Sequence, residues 1–387
     1  MKIKITPRKL SGEIAAITSK SAAHRALICA FLCEEKPQIK IENTSKDIEA
    51  TLACLGAMNE KNPLLDCRDC GATFRLLLPL AAHLCEGARF VGEGRLPERP
   101  IEDLLDTLRA NGVKFSADKL PFTVSGELKS GEFILPGNVS SQFVSGLLFA
   151  LPLLDGDSVI KLISPLESKG YVDMTINSLK EFGVKIEQKE NCYVVKGGQK
   201  FISPKEINIE KDWSNAAFFL AADAIGGDVK VTGLDIKSSQ RDKEIVSILK
   251  QFQLQSELRG IEIDVSQISD LVPILAVVGA FARGETVLYN AARLRMKECD
   301  RLSGVCEMLQ NLGAKVEEKA DSLIITGGAL KGGIVDSKND HRIVMAAVIC
   351  GSFCEGETII NGAEAVEKSY PKFFEDFVKL GGKADVV

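Results

Sequence analysis

The 387-residue sequence has only three histidines, which excludes a His-rich metal site. It has no long apolar run. The longest, Leu271 to Ala282, is shorter than the ~18 residues a membrane span needs, and the opening MKIKITPRKL carries no apolar stretch of the secretory type. A cytoplasmic protein with no membrane partner is expected. Nor is there a surplus of positive charge: 48 Lys and Arg against 53 Asp and Glu give −5, so no global basic field is available for a nucleic-acid partner. Any bound anion must be held locally. GxxxxGK[ST] and a strand-linked GxGxxG are both absent, so nucleotide binding is not indicated. No Ser/His/Asp arrangement can be read. The eleven cysteines are odd in number, scattered, and mostly inside apolar helical runs such as RALICAFLC and AAVICGSFC, where they act as small hydrophobes in a reducing compartment. The one CxxC, Cys67 to Cys70, has no second pair and no nearby His, which makes a zinc or redox reading of that pair weak.

What is present is repetition. A helix ending in apolar-x-x-x-Gly recurs as LACLGA, LRANGV, LKEFGV, LQNLGA and FVKLGG, and a sixth copy, LKQFQL, has lost its glycine. These begin at Leu52, Leu108, Leu179, Leu249, Leu309 and Phe377, with spacings of 56, 71, 70, 60 and 68. A second series of Ala-, Leu- and Val-rich helices opens near Ser21, Ala72, Ser141, Trp213, Asp270 and Asp340, leading the first series by 31, 36, 38, 36, 39 and 37 residues. Two series held in register mean six similar units. Each has one buried and one amphipathic helix, with strand-like segments such as VKIEQKENCYVV between and after them. An α/β fold of two similar halves, three units each, is the simplest plan.

The buried helices carry the chemistry because a helix N-terminus offers unpaired N–H groups and partial positive charge to a phosphate or carboxylate. In TSKSAAHR, Lys20 and Ser21 open a helix and Arg25 lies on the same face, an anion clamp. Arg75 of GATFR sits in a helix apolar on every side and needs a partner. NVSSQF supplies Ser140, Ser141 and Gln142, and NDHR places His341 and Arg342 behind a cap at Asp340. Three further basic clusters are GEGRLPERP with Arg95 and Arg99, LRMKECDRL with Arg295, Lys297, Glu298 and Arg301, and EKSYPK with Lys368. Singly, each reads as solvated surface. Together, in a net-acidic chain, they point to small ligands bearing several phosphates or carboxylates. Lys20, Asp270 and Glu298 are the candidates for proton transfer.

The ordered set SKSAAHR, CGATFR, GEGRLPERPI, VSSQF, ESKGYVD, LRMKECDRL, NDHR and EKSYP, running from Lys20 to Pro371, resembles the 5-enolpyruvylshikimate-3-phosphate synthase family of the shikimate pathway. The resemblance implies two similar domains, each of three βαβαββ repeats, with the active site in the cleft between them. One domain would be discontinuous, 1–19 with 211–387, and the other would be 20–210. It implies transfer of the enolpyruvyl group of phosphoenolpyruvate to the 5-hydroxyl of shikimate 3-phosphate, by addition and then loss of phosphate, in aromatic amino-acid biosynthesis. By motif position, Lys20, Ser21, Arg25, Ser140, Ser141, Gln142, Ser168, Tyr171, Asp270 and Lys297 match shikimate 3-phosphate ligands. Lys20, Gly71, Arg95, Gln142, Arg301, Arg342 and Lys368 match phosphoenolpyruvate ligands, and Lys20, Asp270 and Glu298 match the proton-transfer residues. No metal or organic cofactor is implied, and a monomer acting on two small molecules is expected.

The chain departs from the family where Asp69 and Ala72 replace the usual Asn and Thr, and where Gly170 replaces Pro. The first two changes add a carboxylate and remove a hydroxyl beside the phosphoenolpyruvate loop. Nothing in the sequence explains Arg293. Two rival readings are a UDP-N-acetylglucosamine enolpyruvyl transferase, whose cysteine loop is not recognisable here, and an RNA-end-processing member of the same repeat fold, disfavoured by the −5 charge and the absence of a basic aromatic strip.

Overall fold

The computed structural model describes residues 1–254 and 257–387. They form two compact units, one of Met1–Ile17 with Lys211–Val387 and one of Thr18–Glu210. The second unit holds α1 (Lys20–Leu32), α2 (Lys46–Ala57), α3 (Gly71–Leu84), α4 (Glu102–Ala110), α5 (Ser141–Ala150) and α6 (Lys169–Glu181). The first holds α7 (Trp213–Ile225), α8 (Ile245–Phe252), α9 (Val272–Phe281), α10 (Arg301–Asn311), α11 (His341–Phe353) and α12 (Phe373–Lys379). Odd-numbered helices are the buried series and even-numbered ones the amphipathic series. All thirteen residues of α11 except Phe353 are buried, whereas α10 keeps its polar face at the surface.

Each unit has its own apolar core built on the buried helices, with Phe74, Phe90 and Phe122 at its centre in the second unit and Phe219, Tyr370 and Phe373 in the first. Local chemistry starts these helices where the sequence reading places them, within one or two residues. Ser19, Ser140, Asp212 and Asp340 cap α1, α5, α7 and α11 by accepting a first-turn backbone N–H, and the Cys70 sulfur does the same for α3. Asp270 lies in the short 3₁₀ turn Ser269–Leu271 that leads into α9.

The sheets repeat as well. In the second unit, strand 64–66 runs parallel to 88–91, which pairs antiparallel with 122–126, itself paired with 113–115. The strands 132–135, 158–162, 192–195 and 186–189 make the same four-stranded pattern. So do 262–264, 285–289, 323–326 and 315–318 in the first unit, and 334–336, 358–361, 2–6 and 383–386. Four of the six repeats are therefore complete βαβαββ modules.

The other two are shortened. Strand 38–40 pairs with 206–208 alone, and 228–232 with 11–15 alone. The cause is visible at the preceding helix ends. After α4, α6, α10 and α12, glycines 112, 183, 313 and 381 adopt φ of +96°, +81°, +88° and +86°, turning the chain back into a hairpin. At the end of α2, Gly56 stays within the helix without positive φ, and the chain runs directly to strand 64–66. After α8 there is no glycine, and the return shrinks to the two-residue strands 253–254 and 257–258. Among the described residues no helix is long and apolar enough to cross a membrane.

Candidate active site

In the Thr18–Glu210 unit, four helix starts supply the predicted polar groups. Lys20 opens α1 and its Nζ lies 2.6 Å from Asp47 Oδ2, with both side chains about 85% buried. Arg25, one turn on, donates to the Ser21 carbonyl at 2.6 Å, to the Tyr171 carbonyl at 2.8 Å and to Thr175 Oγ1 at 2.9 Å. Burial lowers its guanidinium to about 10, and the Tyr171 ring lies 5.9 Å away. Ser21, Arg25 and Tyr171 thus form one cluster. Ser168, immediately before α6, is buried in a left-handed conformation at φ 51°. Such a conformation is costly for a non-glycine residue and marks a place where the surroundings dictate the backbone.

At α5, Ser140 Oγ accepts from the Gln142 N–H, and Ser141 is buried in the first turn. The Gln142 side-chain oxygen accepts from Arg75 at 3.3 Å. Arg75, the cation that needed a partner, also donates to the Pro100 carbonyl at 2.9 Å and stands over the Phe143 ring at 5.7 Å. A Cβ on Gly71 would come within 2.6 Å of the Arg99 guanidinium and 2.7 Å of that of Arg75. Only glycine at this helix start leaves both cations in place. Arg99 thus stands beside Arg75 at Gly71. Arg95, named from the sequence in the same loop, is one-third exposed and 4.0 Å from Glu98. The signal for Arg99 was available: it directly precedes Pro100, at the point where the loop turns toward α4.

In the other unit the centre is Asp270. Its carboxylate accepts from Lys297 at 3.3 Å, Arg301 at 3.0 Å and Arg342 at 3.2 Å, and its backbone carbonyl takes a second bond from Arg342. Arg301, 1% exposed, also donates to Glu298 at 2.5 Å and to the Asp340 cap at 2.8 Å. Two helix starts and two connecting turns are thereby tied together through charge-assisted bonds. Burial, against the pull of Asp270, lowers the Lys297 ammonium to about 8. Lys368 donates to the Asn339 carbonyl at 2.7 Å, beside the start of α11. Arg295, of the same basic cluster, faces Glu318 and Asp300 and is a fold-stabilising cation.

Asp242 is absent from the sequence reading and belongs to this region. Burial, and then the neighbouring Asp270 charge, raise its carboxyl to about 7. It lies in the 3₁₀ turn Arg241–Glu244, whose charged sequence gives no sign of burial. Among the described residues one group of three could hold a metal ion: His24, Asp47 and Cys70.

Residues 5–64 and 59–377 match the sequence model of a family described as EPSP synthase (3-phosphoshikimate 1-carboxyvinyltransferase). The chain belongs to the EPSP synthase family. It is 44% identical to the 3-phosphoshikimate 1-carboxyvinyltransferase of Clostridium kluyveri and 42% identical to that of Clostridium novyi, each alignment covering 99% of this chain and 98% of the relative. Among solved structures, an EPSP synthase from Acinetobacter baumannii superposes with a TM-score of 0.82 at 25% identity over the full length of both chains. The enolpyruvyl transferase NikO from Streptomyces tendae, at 18% identity and TM-score 0.76 over 99% of this chain and 98% of its own, shares the fold.

Proposed function

We infer that this EPSP synthase family member transfers the enolpyruvyl group of phosphoenolpyruvate to the 5-hydroxyl of shikimate 3-phosphate and releases phosphate. The observation that carries the reading is the Asp270 cluster, in which one carboxylate is ringed by Lys297, Arg301 and Arg342 and a second, Glu298, sits on Arg301. Both substrates carry a phosphate and a carboxylate, and the reaction needs a proton donor and acceptor among fixed cations.

In this reading Ser21, Arg25, Ser140, Ser141, Ser168, Tyr171 and Lys297 bind shikimate 3-phosphate. Lys20, Gly71, Arg95, Arg301, Arg342 and Lys368 bind phosphoenolpyruvate, and Arg99, beside Gly71, is a further cation of the same loop. Gln142 serves both substrates. An acid protonates the methylene carbon of phosphoenolpyruvate while the 5-hydroxyl attacks C2 and gives up its proton to a base, leaving a tetrahedral adduct. Removal of a proton from the resulting methyl group then expels phosphate and restores the double bond. Lys20, Asp270 and Glu298 hold or move these protons, and the cations stabilise the charge on the departing phosphate. The active species in this reading is a monomer; light scattering of the active protein tests that.

The deciding assay is phosphate release from phosphoenolpyruvate with either shikimate 3-phosphate or UDP-N-acetylglucosamine. Release with the former alone, lost in Lys20→Met, is expected. Release only with the sugar nucleotide refutes the acceptor assignment.

A further inference from the structure

We propose that His24, Asp47 and Cys70 form a binding site for a zinc-class divalent cation. A ring nitrogen of His24, a carboxylate oxygen of Asp47 and the Cys70 sulfur all lie within 4.8 Å of one another. They come from α1, the first turn of α2 and the residue that caps α3, at sequence separations that match no metal-binding motif. Packing alone assembles them.

The surroundings of His24 are those of a ligand. Its Nδ1 is 2.7 Å from Thr51 Oγ1, which is 2.7 Å from Thr73 Oγ1, and all three side chains are buried. With Nδ1–H donating to Thr51, Nε2 carries a lone pair; it is buried and has no hydrogen-bond partner. An oxygen that fixes the tautomer through one ring nitrogen while the other stays available is the usual arrangement at a metal-bound imidazole. Burial, and after it the charges of Lys20 and Arg25, hold the ring neutral, as coordination needs. One nitrogen, one oxygen and one sulfur donor with a fourth position left open suit Zn²⁺ and its probe Co²⁺.

Binding must deprotonate Cys70, whose thiol burial and the nearby Asp47 push up to about 12. The thiol proton passes to solvent, and the thiolate and carboxylate together neutralise the dication. Asp47 is also the carboxylate that holds Lys20. The cation and Lys20 therefore compete for one group, and zinc binding releases Lys20 from Asp47. That zinc then inhibits turnover rests on the reading of Lys20 as catalytic.

The test is titration of the purified full-length chain with Co²⁺ under reducing conditions. One equivalent is expected, with a thiolate-to-cobalt charge-transfer band and the intense visible bands of a tetrahedral site, both displaced by Zn²⁺. Cys70→Ser keeps an oxygen acceptor for the α3 cap, so the fold persists while the charge-transfer band disappears. Thr51→Val removes no ligand and should weaken cobalt binding by about 10- to 100-fold. Zinc should inhibit phosphate release by the parent protein and not by Cys70→Ser. Failure to bind cobalt stoichiometrically, or a charge-transfer band that survives in Cys70→Ser, overturns the site. Binding lost in Cys70→Ser without zinc inhibition upholds the site and overturns the role given to Lys20.

Discussion

Raising the pH should separate the affinity of this protein from its stability. The Lys297 ammonium, ordinarily near 10.5, titrates at about 8 because burial outweighs its attraction to Asp270, with Arg301 and Arg293 adding repulsion. That displacement corresponds to roughly 3 kcal/mol of differential free energy, an upper value because the side chain is still 19% exposed to screening water. Between about 8 and 10.5 the unfolded chain holds a proton on this lysine that the folded protein has lost, so this group's contribution to stability rises with pH across that window. Function moves the other way. The proposed role of Lys297 is to bind the anionic acceptor, whose phosphate, with a second pKa of about 6, keeps its charge throughout.

The assay is KM for shikimate 3-phosphate at saturating phosphoenolpyruvate, from about pH 6.5 to about 9.5, with the thermal midpoint measured in parallel. KM should be flat below about pH 8 and then rise about tenfold per unit, while the Lys297 contribution to the midpoint increases. Lys297→Arg keeps the charge and should flatten the KM profile, whatever its absolute activity. A parent KM that stays flat through the window, or one that rises equally in Lys297→Arg, would refute the reasoning.

Arg301→Lys cannot serve three carboxylates and leaves Asp340, which is fully buried, without its guanidinium partner. A loss of about 3–5 kcal/mol is expected, seen as a midpoint lower by roughly 6–20 °C in calorimetry, and activity should fall at least about a hundredfold. Asp242 has its carboxyl raised from 3.8 to about 7, so the folded state holds an extra proton in that window and stability is lost as pH rises through it. Asp242→Asn should therefore raise the midpoint above that of the parent at about pH 8 and remove the slope; a lower midpoint there would count against this account. Gly56→Ala, in a helical conformation with open space around its Cβ position, should stabilise by about 0.5–1 kcal/mol in urea unfolding. Gly313→Ala, at φ +88°, should destabilise by about 1 kcal/mol or more.

The repeat plan was legible because α1, α3, α5, α7 and α11 begin with a side-chain cap and each complete repeat sends its amphipathic helix into a left-handed glycine. Even the two truncations are written in the spacings. The short intervals, 56 and 60 against 68–71, span the repeats whose hairpin is missing or reduced. LKQFQL, the copy without glycine, ends the helix that is followed by two-residue strands. LACLGA resisted this reading because its Gly56 looks like the others in sequence. Only the backbone, helical at Gly56 and left-handed at Gly313, tells a glycine that helps turn the chain from one that does not.

The site divides along the same physical line. Ser21, Arg25, Gln142 and Arg342 stood out as candidates because each lies in the first turns of a buried helix, where polar side chains are conspicuous against the apolar residues behind them. Asp47 and Asp242 did not, and Arg99 entered only as one member of a basic cluster. Each sits in a loop or a charged first turn that reads as solvated surface, and burial comes from a neighbouring element: Asp47 from the Lys20 end of α1, Arg99 from the bare Gly71 at the start of α3, and Asp242 from the region of Asp270 and Ser214. The first turn of α2 thus contributes the countercharge that positions Lys20 at the start of α1, whereas for Arg301 at the start of α10 the buried countercharge is the α11 cap Asp340. A reading built on helix starts finds Asp270 and Asp340 and misses Asp47 and Asp242, which is also why His24, Asp47 and Cys70 went unrecognised as a group. Of the three, only His24 and Cys70 stand at buried-helix starts, and Asp47, the one that links them to Lys20, belongs to the series that looked like surface.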